Sequence, residues 1–446
     1  MPSDITTGII GFVILLLLLA IRVPVGTAML AVGAGGIWFL HPRGEVAVFA
    51  TLAGETFSVS ALYSMTILPL FVLMGNLSGV SGMSRDLYSA AHAWFGHLKG
   101  GLASSTIVGC AGFSALSGSS LASAVTMGRV AIPEMKRFHY SDSLSTGSVA
   151  AGGTLGILIP PSAGFVIYAI LTEESIGRLF LAGVLPGLIL MGLFIAAIMI
   201  QVSRHPELAP GVLPKVSLPE RLRALARARW IIGIVVITVG GIYGGVFSAV
   251  EAAGIGAFLA FVATLMRGAF RWPEIRKAMG DTLASTATTF YILMGAFVFT
   301  PFVALSGIPG ALTEWVVGLG AGPYTVLIIC LLALVVLGTF MEGFAILVLT
   351  LPLLQPLLEG YGFNMIWFGV LMVIVLEMGL ISPPVGINVF VVKGIAPDVP
   401  MNTIFRGIWP FWFAMGAHEL QEPMSCQIRL RLGQTVDTHC YAFPDP

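Results

Sequence analysis

Two short polar interruptions lie inside long apolar stretches of this sequence, and their residue types suit cation chemistry. The first is Ser-Gly-Ser-Ser at residues 117–120, followed by an apolar segment broken between Gly152 and Pro161. The second is residues 338–343, followed by a segment broken between Gly379 and Gly386. Hydroxyl, amide and carbonyl oxygens are the ligands that hard cations prefer, and Na⁺ belongs to that class. The spacing therefore indicates two polar sites rather than one.

The oxygen donors near these interruptions are hydroxyl and amide side chains: Ser117, Ser119, Ser120, Thr154, Ser162, Thr339, Ser382 and Asn388. A helix broken in lipid leaves backbone groups that protein, water or a ligand must satisfy. Half-helix N-termini suit a carboxylate, whereas unwound carbonyls suit a small cation. Two alternatives stay open. The serines can serve close helix packing, and the proline pairs can be simple kinks.

Two acidic residues, Glu342 and Glu377, fall inside apolar segments. An ionisable residue in a membrane span is costly and is by default a functional candidate, so either can bind a cation or a proton. The alternative is a carboxyl group that is hydrogen-bonded to nearby backbone N–H groups and fixes a turn.

Composition places the chain in a membrane and argues against several classes of function. Of 446 residues, 57% are hydrophobic and 10% are charged, with a mean hydropathy of +0.95, whereas soluble domains carry about 25% charge. The net charge is zero, so no nucleic-acid partner is indicated. No Ser/His/Asp arrangement and no His or Cys spacing typical of a metal site lies within the apolar segments, so we do not expect an enzyme.

The elements that carry the polar interruptions occur twice. Pro160-Pro161 recurs as Pro383-Pro384, and the same shift of 223 residues places Ser119 on Glu342. Basic residues flank the first copy of the hairpin segment, but no Lys or Arg lies in the equivalent loops of the second copy. Because Lys and Arg favour cytoplasmic loops, this asymmetry predicts that the copies are inverted. Paired interruptions of this kind are typical of secondary transporters.

We therefore predict an all-α membrane protein of two inverted repeats, each with transmembrane helices, a re-entrant hairpin and a broken helix. The predicted boundaries are a first repeat at 1–202 with hairpin 101–133 and broken helix 143–170, a cytoplasmic linker at 203–229, a second repeat at 230–415 with hairpin 324–356 and broken helix 365–392, and an atypical polar tail at 416–446.

Four finer expectations accompany these boundaries. A third span lies within 48–77, and residues 84–100 and 313–322 are loops. The last apolar run, 403–415, is too short to cross a bilayer, which needs about 20 residues. The N-terminus lies outside, because Arg22 follows the first apolar run and no basic residue precedes it.

Five motifs resemble the large membrane subunit of the TRAP (tripartite ATP-independent periplasmic) transporters. They are GFSALSGSSLASAVTMGRVAIPEM, GGTLGILIPPS, FSAVEAAGIGA, GTFMEGFAILVLTLPLL and GLISPPVGINVF, in that order along the chain. The resemblance implies a multi-pass protein of the bacterial inner membrane with an elevator-type ion-transporter fold. Such a protein imports organic acids of the dicarboxylate, keto acid or sialic acid type. It also implies a Na⁺ gradient as the driving force, a periplasmic substrate-binding protein, and a separate small four-helix membrane subunit.

The resemblance also places Na⁺ where the hairpin tips meet the broken helices. The implied Na⁺ positions are Ser117, Gly118, Gly153, Gly156, Gly338, Glu342, Gly379, Ser382, Pro383 and Gly386. The candidate substrate-binding residues are Ser119, Ser120, Thr154, Ser162, Thr339 and Asn388. A stand-alone Na⁺/carboxylate symporter of the same superfamily, without a binding protein, stays open as an alternative.

Overall fold

The computed structural model describes residues 4–211 and 214–431, and this part of the chain contains helices and no strands. Its α-helices are α1 (Asp4–Ala20), α2 (Val25–Leu40), α3 (Gly44–Ala61), α4 (Ile67–Val80), α5 (Met83–Phe95), α6 (Gly101–Ser117), α7 (Ser120–Arg137), α8 (Asp142–Leu158), α9 (Ala163–Thr172), α10 (Ile176–Arg204), α11 (Leu218–Arg227), α12 (Arg229–Tyr243), α13 (Ala249–Met266), α14 (Trp272–Leu305), α15 (Ile308–Gly318), α16 (Pro323–Gly338), α17 (Gly343–Gly360), α18 (Met365–Ile381), α19 (Ile387–Ile395) and α20 (Met401–Arg431).

Six helical segments in the described residues are long and apolar enough to cross a membrane, and a seventh is added if the bent pair α11–α12 is one span. They are Tyr63–Val80, Asp142–Thr172, Ile176–Arg204, Ala249–Met266, Trp272–Leu305 and Gly343–Gly360. Several shorter apolar helices accompany them, among them α1, α2, α6, α16 and α18. The prediction of a multi-pass, all-α membrane protein is confirmed.

The duplication appears in the helix boundaries themselves. α8 and α18 begin 223 residues apart and end 223 residues apart, and the same holds for α7 and α17. The N-cap residues correspond as well, since Ser119 precedes α7 and Glu342 precedes α17. Both Pro-Pro bonds, one in each copy, are cis. The shift read from a few anchor residues therefore holds for whole elements.

α6 and α7 form a hairpin that turns at Gly118, whose φ is 57°. Near the open end, the backbone N–H of Leu102 donates to the hydroxyl of Tyr140 at 3.3 Å. Halfway along, Gly109 of one arm lies against the Met127 side chain of the other. The two arms therefore run antiparallel, and both ends of the segment lie on the same side.

α16 and α17 repeat this arrangement around residues 339–342. The hydroxyl of Tyr361, just after α17, donates to the backbone oxygen of Ala321, just before α16, at 3.4 Å. The two ends of the second hairpin therefore also meet.

The two broken helices run antiparallel, which is the structural form of the inverted repeat. The Tyr168 hydroxyl in the middle of α9 donates to the Met365 backbone oxygen at the start of α18, at 2.6 Å. At the other end, Gly128 of α7 lies between Val149 of α8 and Ile395 of α19. Both breaks, 159–162 and 382–386, fall between these two contacts. The fold prediction of two inverted repeats is confirmed.

A second group of helices packs beside this unit through small residues. α2 and α14 approach closely at Gly26 and Gly295, where a Cβ on Gly295 would lie 2.7 Å from the Gly26 backbone oxygen. α4 packs on both α13 and α14. Gly75 of α4 then faces Ser117 of the first hairpin, so α4 separates the two groups.

Three segments differ from the sequence-based expectation, and a local hydrogen bond explains the third. The expected loop 84–100 contains α5, and 313–322 contains part of α15. The expected third span is divided at Leu62 into α3 and a short 3₁₀-helix leading into α4. There the Thr66 hydroxyl donates to the Tyr63 backbone oxygen, a local bond that competes with a continuous α-helix.

The linker also contains structure, since α11 begins with a capping box formed by Ser217 and Glu220. At the C-terminal end, α20 has 31 residues and continues well past Met415. His418 is buried, so the change of composition at 416 does not mark the end of the packed helix. Residues 432–446 of the predicted polar tail lie outside the described residues.

Candidate functional site

Two short-range hydrogen bonds and one glycine shape the tip of the first hairpin. The Ser117 and Ser123 hydroxyls lie 2.9 Å apart, and the Ser119 hydroxyl caps α7 by accepting from the Ala122 N–H at 3.4 Å. Gly118 adopts a left-handed conformation that a side chain rarely tolerates. This geometry turns the chain while leaving the tip oxygens close together.

The first tip is bonded directly to the first break. The backbone oxygen of Gly118 accepts from the N–H of Ala163 at 3.2 Å. Ser162, which precedes Ala163, caps α9 through its hydroxyl. A Cβ on Gly118 would lie 2.8 Å from the Pro161 backbone oxygen. Residues 117–120 and Pro160-Pro161 are thus in contact, as the sequence analysis requires.

Glycines on α8 let the same tip approach the helix closely. A Cβ on Gly156 would lie 2.5 Å from the Ser119 backbone oxygen, and one on Gly153 would lie 2.8 Å from the Ala124 Cβ. The buried Thr154 hydroxyl donates to the Ala151 backbone oxygen at 2.6 Å. The predicted residues on α8 therefore meet the hairpin through backbone contact.

The second tip meets the second broken helix in a comparable way. A Cβ on Gly338 would lie 2.8 Å from the Cα of Gly379, so α16 and α18 touch at their C-terminal ends. The Thr339 hydroxyl donates to the Val336 backbone oxygen at 2.7 Å. The break then passes through the exposed Pro383 and Pro384 to the buried Gly386, which has a φ of 61°.

Two predicted residues near the second break differ in how their polar atoms are satisfied. The Ser382 hydroxyl donates to the Met378 backbone oxygen at 2.6 Å and accepts from the Trp412 indole N–H at 2.8 Å. Asn388 is fully buried, and its amide oxygen and nitrogen have no hydrogen-bond partner among the described residues. Asn388 is therefore the predicted site residue with the most unused hydrogen-bonding capacity.

α18 lies between the two tips. Leu376 contacts Gly343 of the second hairpin, where a Cβ would lie 3.9 Å from the Leu376 Cβ. The next residue, Glu377, is 2% exposed and interacts with the Ser120 hydroxyl of the first hairpin. One oxygen of Glu377 has no hydrogen-bond partner among the described residues. A carboxyl group from the second repeat thus reaches the tip of the first.

A cavity of about 1140 Å³ joins both tips to one end of the molecule. Its inner end is lined by Ser117, Gly118, Ser119 and Glu342. Its outer end carries four cationic side chains, Arg85, Arg129, Arg271 and Lys277. The other predicted site residues lie behind this surface, in contacts among the helices.

The sequence analysis missed the wall of the cavity that faces the hairpin. α14 presents Asp281, Ser285, Thr288 and Thr289 to the cavity, and α4 presents Asn76. The Asn76 amide donates to the Thr282 hydroxyl at 2.8 Å. The sequence feature that indicates this wall is the polar run Ser-Thr-Ala-Thr-Thr at 285–289, which is unusual inside an apolar span.

The donor set at the tips consists of hydroxyl, carbonyl and carboxylate oxygens, which fit Na⁺. No group of three or more His, Cys, Asp or Glu side chains that could hold a metal ion occurs in the part of the chain that the structure describes. The residues present therefore fit a hard monovalent ion held by hydroxyl and backbone oxygens.

Comparison with known proteins places the whole arrangement in one family. Residues 12–418 match the family model described as "Tripartite ATP-independent periplasmic transporter, DctM component". The chain belongs to this DctM family. The match ends at His418, close to the change of composition in α20.

Individual members of the DctM family are similar along most of their length. The C4-dicarboxylate TRAP transporter large permease protein of Pseudomonas aeruginosa is 37% identical over 362 residues, covering 81% of this chain and 84% of that protein. The sialic acid TRAP transporter large permease protein of Vibrio cholerae is 32% identical, covering 78% and 81%.

A solved structure supports the fold at lower sequence identity. The YdaH transporter of Alcanivorax borkumensis aligns with a TM-score of 0.58 and 17% identity, covering 88% of this chain and 90% of that one. At this identity the likeness concerns the fold alone. This DctM-family chain is therefore a transporter permease subunit rather than an enzyme, as predicted.

Proposed function

We propose that this DctM-family chain is the large membrane subunit of a Na⁺-driven importer of organic acids in the bacterial inner membrane. The observation that carries the proposal is one cavity lined at its inner end by both hairpin tips. The two tips come from antiparallel repeats, and each rests on a broken helix. Such unwound segments expose the backbone dipoles that bind cations and carboxylates.

The partners of the chain are a small four-helix membrane subunit and a periplasmic substrate-binding protein that delivers the organic acid. The N-terminus lies in the periplasm, which puts the cationic end of the cavity in the cytoplasm. The substrate class is a dicarboxylate, a keto acid or sialic acid. The relative in Pseudomonas is named for C4-dicarboxylates and the relative in Vibrio for sialic acid.

In this proposal, Na⁺ binds where each tip meets its broken helix. The first ion uses oxygens from Ser117, Gly118, Gly153 and Gly156, and the second uses oxygens near Gly338, Glu342, Gly379, Ser382, Pro383 and Gly386. The organic acid binds beside them, near Ser119, Ser120, Thr154, Ser162, Thr339 and Asn388. Of these six, Ser119 lines the cavity, so it is the last of these contacts that the substrate leaves as it passes into the cavity.

The unit that moves consists of the two hairpins and the two broken helices. It slides against the helices that pack around α4 and α14. The cavity lies between these two groups, because α7 forms one wall and α14 the other. The described arrangement is then inward-facing.

Reconstitution in proteoliposomes tests the proposal. The chain is combined with its small subunit and its binding protein, and uptake of radiolabelled succinate, pyruvate and N-acetylneuraminate is measured. One of these should accumulate only with an inward Na⁺ gradient. Accumulation that is indifferent to Na⁺ contradicts the proposal, and uptake without binding protein favours the stand-alone symporter.

A second measurement needs no substrate and no partner. Na⁺, but not K⁺, should raise the melting temperature of the purified chain. Glu342→Gln removes a carboxylate at the second tip and should raise the Na⁺ concentration for half-maximal stabilisation by about tenfold, because a contact to a charged group contributes about 1.5–3 kcal/mol. The control is Glu314→Gln, an exposed glutamate on α15. Equal Na⁺ responses in both variants would contradict the Glu342 assignment.

A further inference from the structure

Four residues on one face of α7 lead from the hairpin tip to an arginine. Ser119, Ala122, Thr126 and Arg129 are spaced by three or four residues, and all four line the large cavity. At 1.5 Å per residue, Arg129 lies about 15 Å along the helix from Ser119. A ligand that leaves the tip along this face therefore meets Arg129.

A second arginine lies at the same place. Arg85 of α5 lines the large cavity, and both arginines also line a smaller cavity of about 390 Å³. Ser89 and His92 follow Arg85 on the same face of α5, and Glu134 follows Arg129 on α7. The two guanidinium groups thus stand where the two cavities adjoin. The Glu134 carboxylate lines the smaller cavity, and Glu274 and Asp281 line the larger one.

Neither arginine is neutralised by an ion pair within the described residues. Two neighbouring arginines are paired, since Arg267 contacts Asp86 at 2.6 Å and Arg271 contacts Glu274 at 3.3 Å. Arg85 and Arg129 are both exposed to the cavities instead. A guanidinium group presents a planar set of N–H donors that matches a carboxylate, often with two parallel hydrogen bonds.

We propose that Arg85 and Arg129 form an anion site at the mouth of the large cavity, which binds the carboxylate of the organic acid between the tip and the basic end. The site rests on the proposed function for the identity of its ligand, and it contains no Na⁺ ligand. It selects anions on the exit path and lowers the barrier for a carboxylate that leaves the tip.

The test measures the charge preference of the mouth with a cysteine probe. In a full-length background whose four native cysteines are replaced by alanine, Thr126→Cys places a thiol on the cavity wall between Ser119 and Arg129. The rates of modification by a negatively charged and a positively charged thiosulfonate are compared. Arg85→Gln and Arg129→Gln together should lower the ratio of these rates by about tenfold, since a charged cleft concentrates ions of opposite sign by that order or more. Arg223→Gln, an exposed arginine of α11 outside both cavities, is the control.

Two further measurements distinguish binding of a carboxylate from a nonspecific electrostatic effect of the two arginine charges. Succinate should slow modification of the cysteine in the parent protein and should fail to do so in the double glutamine variant. Arg129→Lys keeps the charge but not the planar donor pair, so it should keep the rate ratio and lose most of the protection by succinate.

An unchanged rate ratio in the double variant overturns the anion site, and so does a parent protein that succinate does not protect. These outcomes do not depend on Na⁺. The proposed function can therefore fail its gradient and melting tests while the anion site stands, and the reverse also holds.

Discussion

Gly156 is the residue on which the contact between the first tip and the first broken helix depends most directly. Gly156→Val should destabilise the chain, because its Cβ would lie 2.5 Å from the Ser119 backbone oxygen and neither backbone has room to move away. Overpacking of this kind costs about 1–3 kcal/mol. The melting temperature of the purified chain in detergent measures the effect.

A matched control for this change is Gly192→Val on α10, where no atom would lie within 4 Å of the new Cβ. The control should melt close to the parent temperature. If both variants melt at the same temperature, the close approach at Gly156 contributes nothing to stability.

At the residue scale, the sequence identified the right neighbourhoods but not the contacts. Ser117 and Ser119 were predicted from their types, and they do lie at the tip beside the first break. Two contacts were not predictable from the sequence. They are the close approach of Gly153 to Ala124 and the hydrogen bond between Trp412 and Ser382. Such contacts join residues far apart in sequence, and periodicity carries no information about them.

At the element scale, α20 supports the second break through one side chain. Trp412→Phe keeps an aromatic ring but removes the N–H that donates to the Ser382 hydroxyl at 2.8 Å. Loss of one hydrogen bond at a part-buried site should lower stability by about 0.5–1.5 kcal/mol. Thermal melting and the Na⁺ concentration needed for stabilisation are measured together.

Trp409→Phe is the comparison, since Trp409 lies one turn earlier on the same helix and is 42% exposed. We expect only the Trp412 variant to require more Na⁺. An equal shift in both variants would show that the indole N–H does not hold the break.

The elements that the sequence predicted well share one physical property, and the missed ones lack it. The hairpins and broken helices are long apolar runs with marked interruptions, so hydropathy and glycine or proline positions locate them. α5 and α11 are amphipathic and lie outside the strongly apolar runs, so they were assigned to a loop and a linker. α20 packs against α8, and this packing stabilises the helix. The helix can therefore continue into a polar sequence without an apolar face on every turn.

At the scale of the whole molecule, the moving-unit proposal predicts that one bond across the cavity wall stops transport. A Cβ on Gly75 of α4 would lie 3.2 Å from the Ser117 Cβ, near the separation of about 3.5–4.5 Å found in disulfides. Gly75→Cys with Ser117→Cys should therefore cross-link under oxidation. Uptake in proteoliposomes should fall to background and recover on reduction to the level of the Ser117→Cys variant alone, because this substitution also alters the proposed first Na⁺ site.

Each single cysteine variant, treated with the same oxidant, gives the baseline for the pair. Full uptake by the oxidised pair, with cross-linking confirmed on a gel, would contradict a movement of the hairpin past α4. Ser117 belongs to the proposed first Na⁺ site, so the Na⁺-dependent melting response of the oxidised pair should match that of the Ser117→Cys variant alone, since binding does not require the movement.

The two breaks differ in their surroundings, and this difference has an energetic consequence. Pro160-Pro161 is buried, and the backbone beside it is satisfied by the first hairpin through the Gly118 and Ala163 bond. Pro383-Pro384 is exposed, so solvent or a neighbouring molecule can complete the hydrogen bonding of the second break. Separating the first hairpin from its helix thus requires hydration of buried backbone amides. At the second break, Pro383 and Pro384 are already accessible to solvent, so separation there requires less additional hydration. We therefore expect the hairpin and broken helix of the second repeat to separate more easily than those of the first.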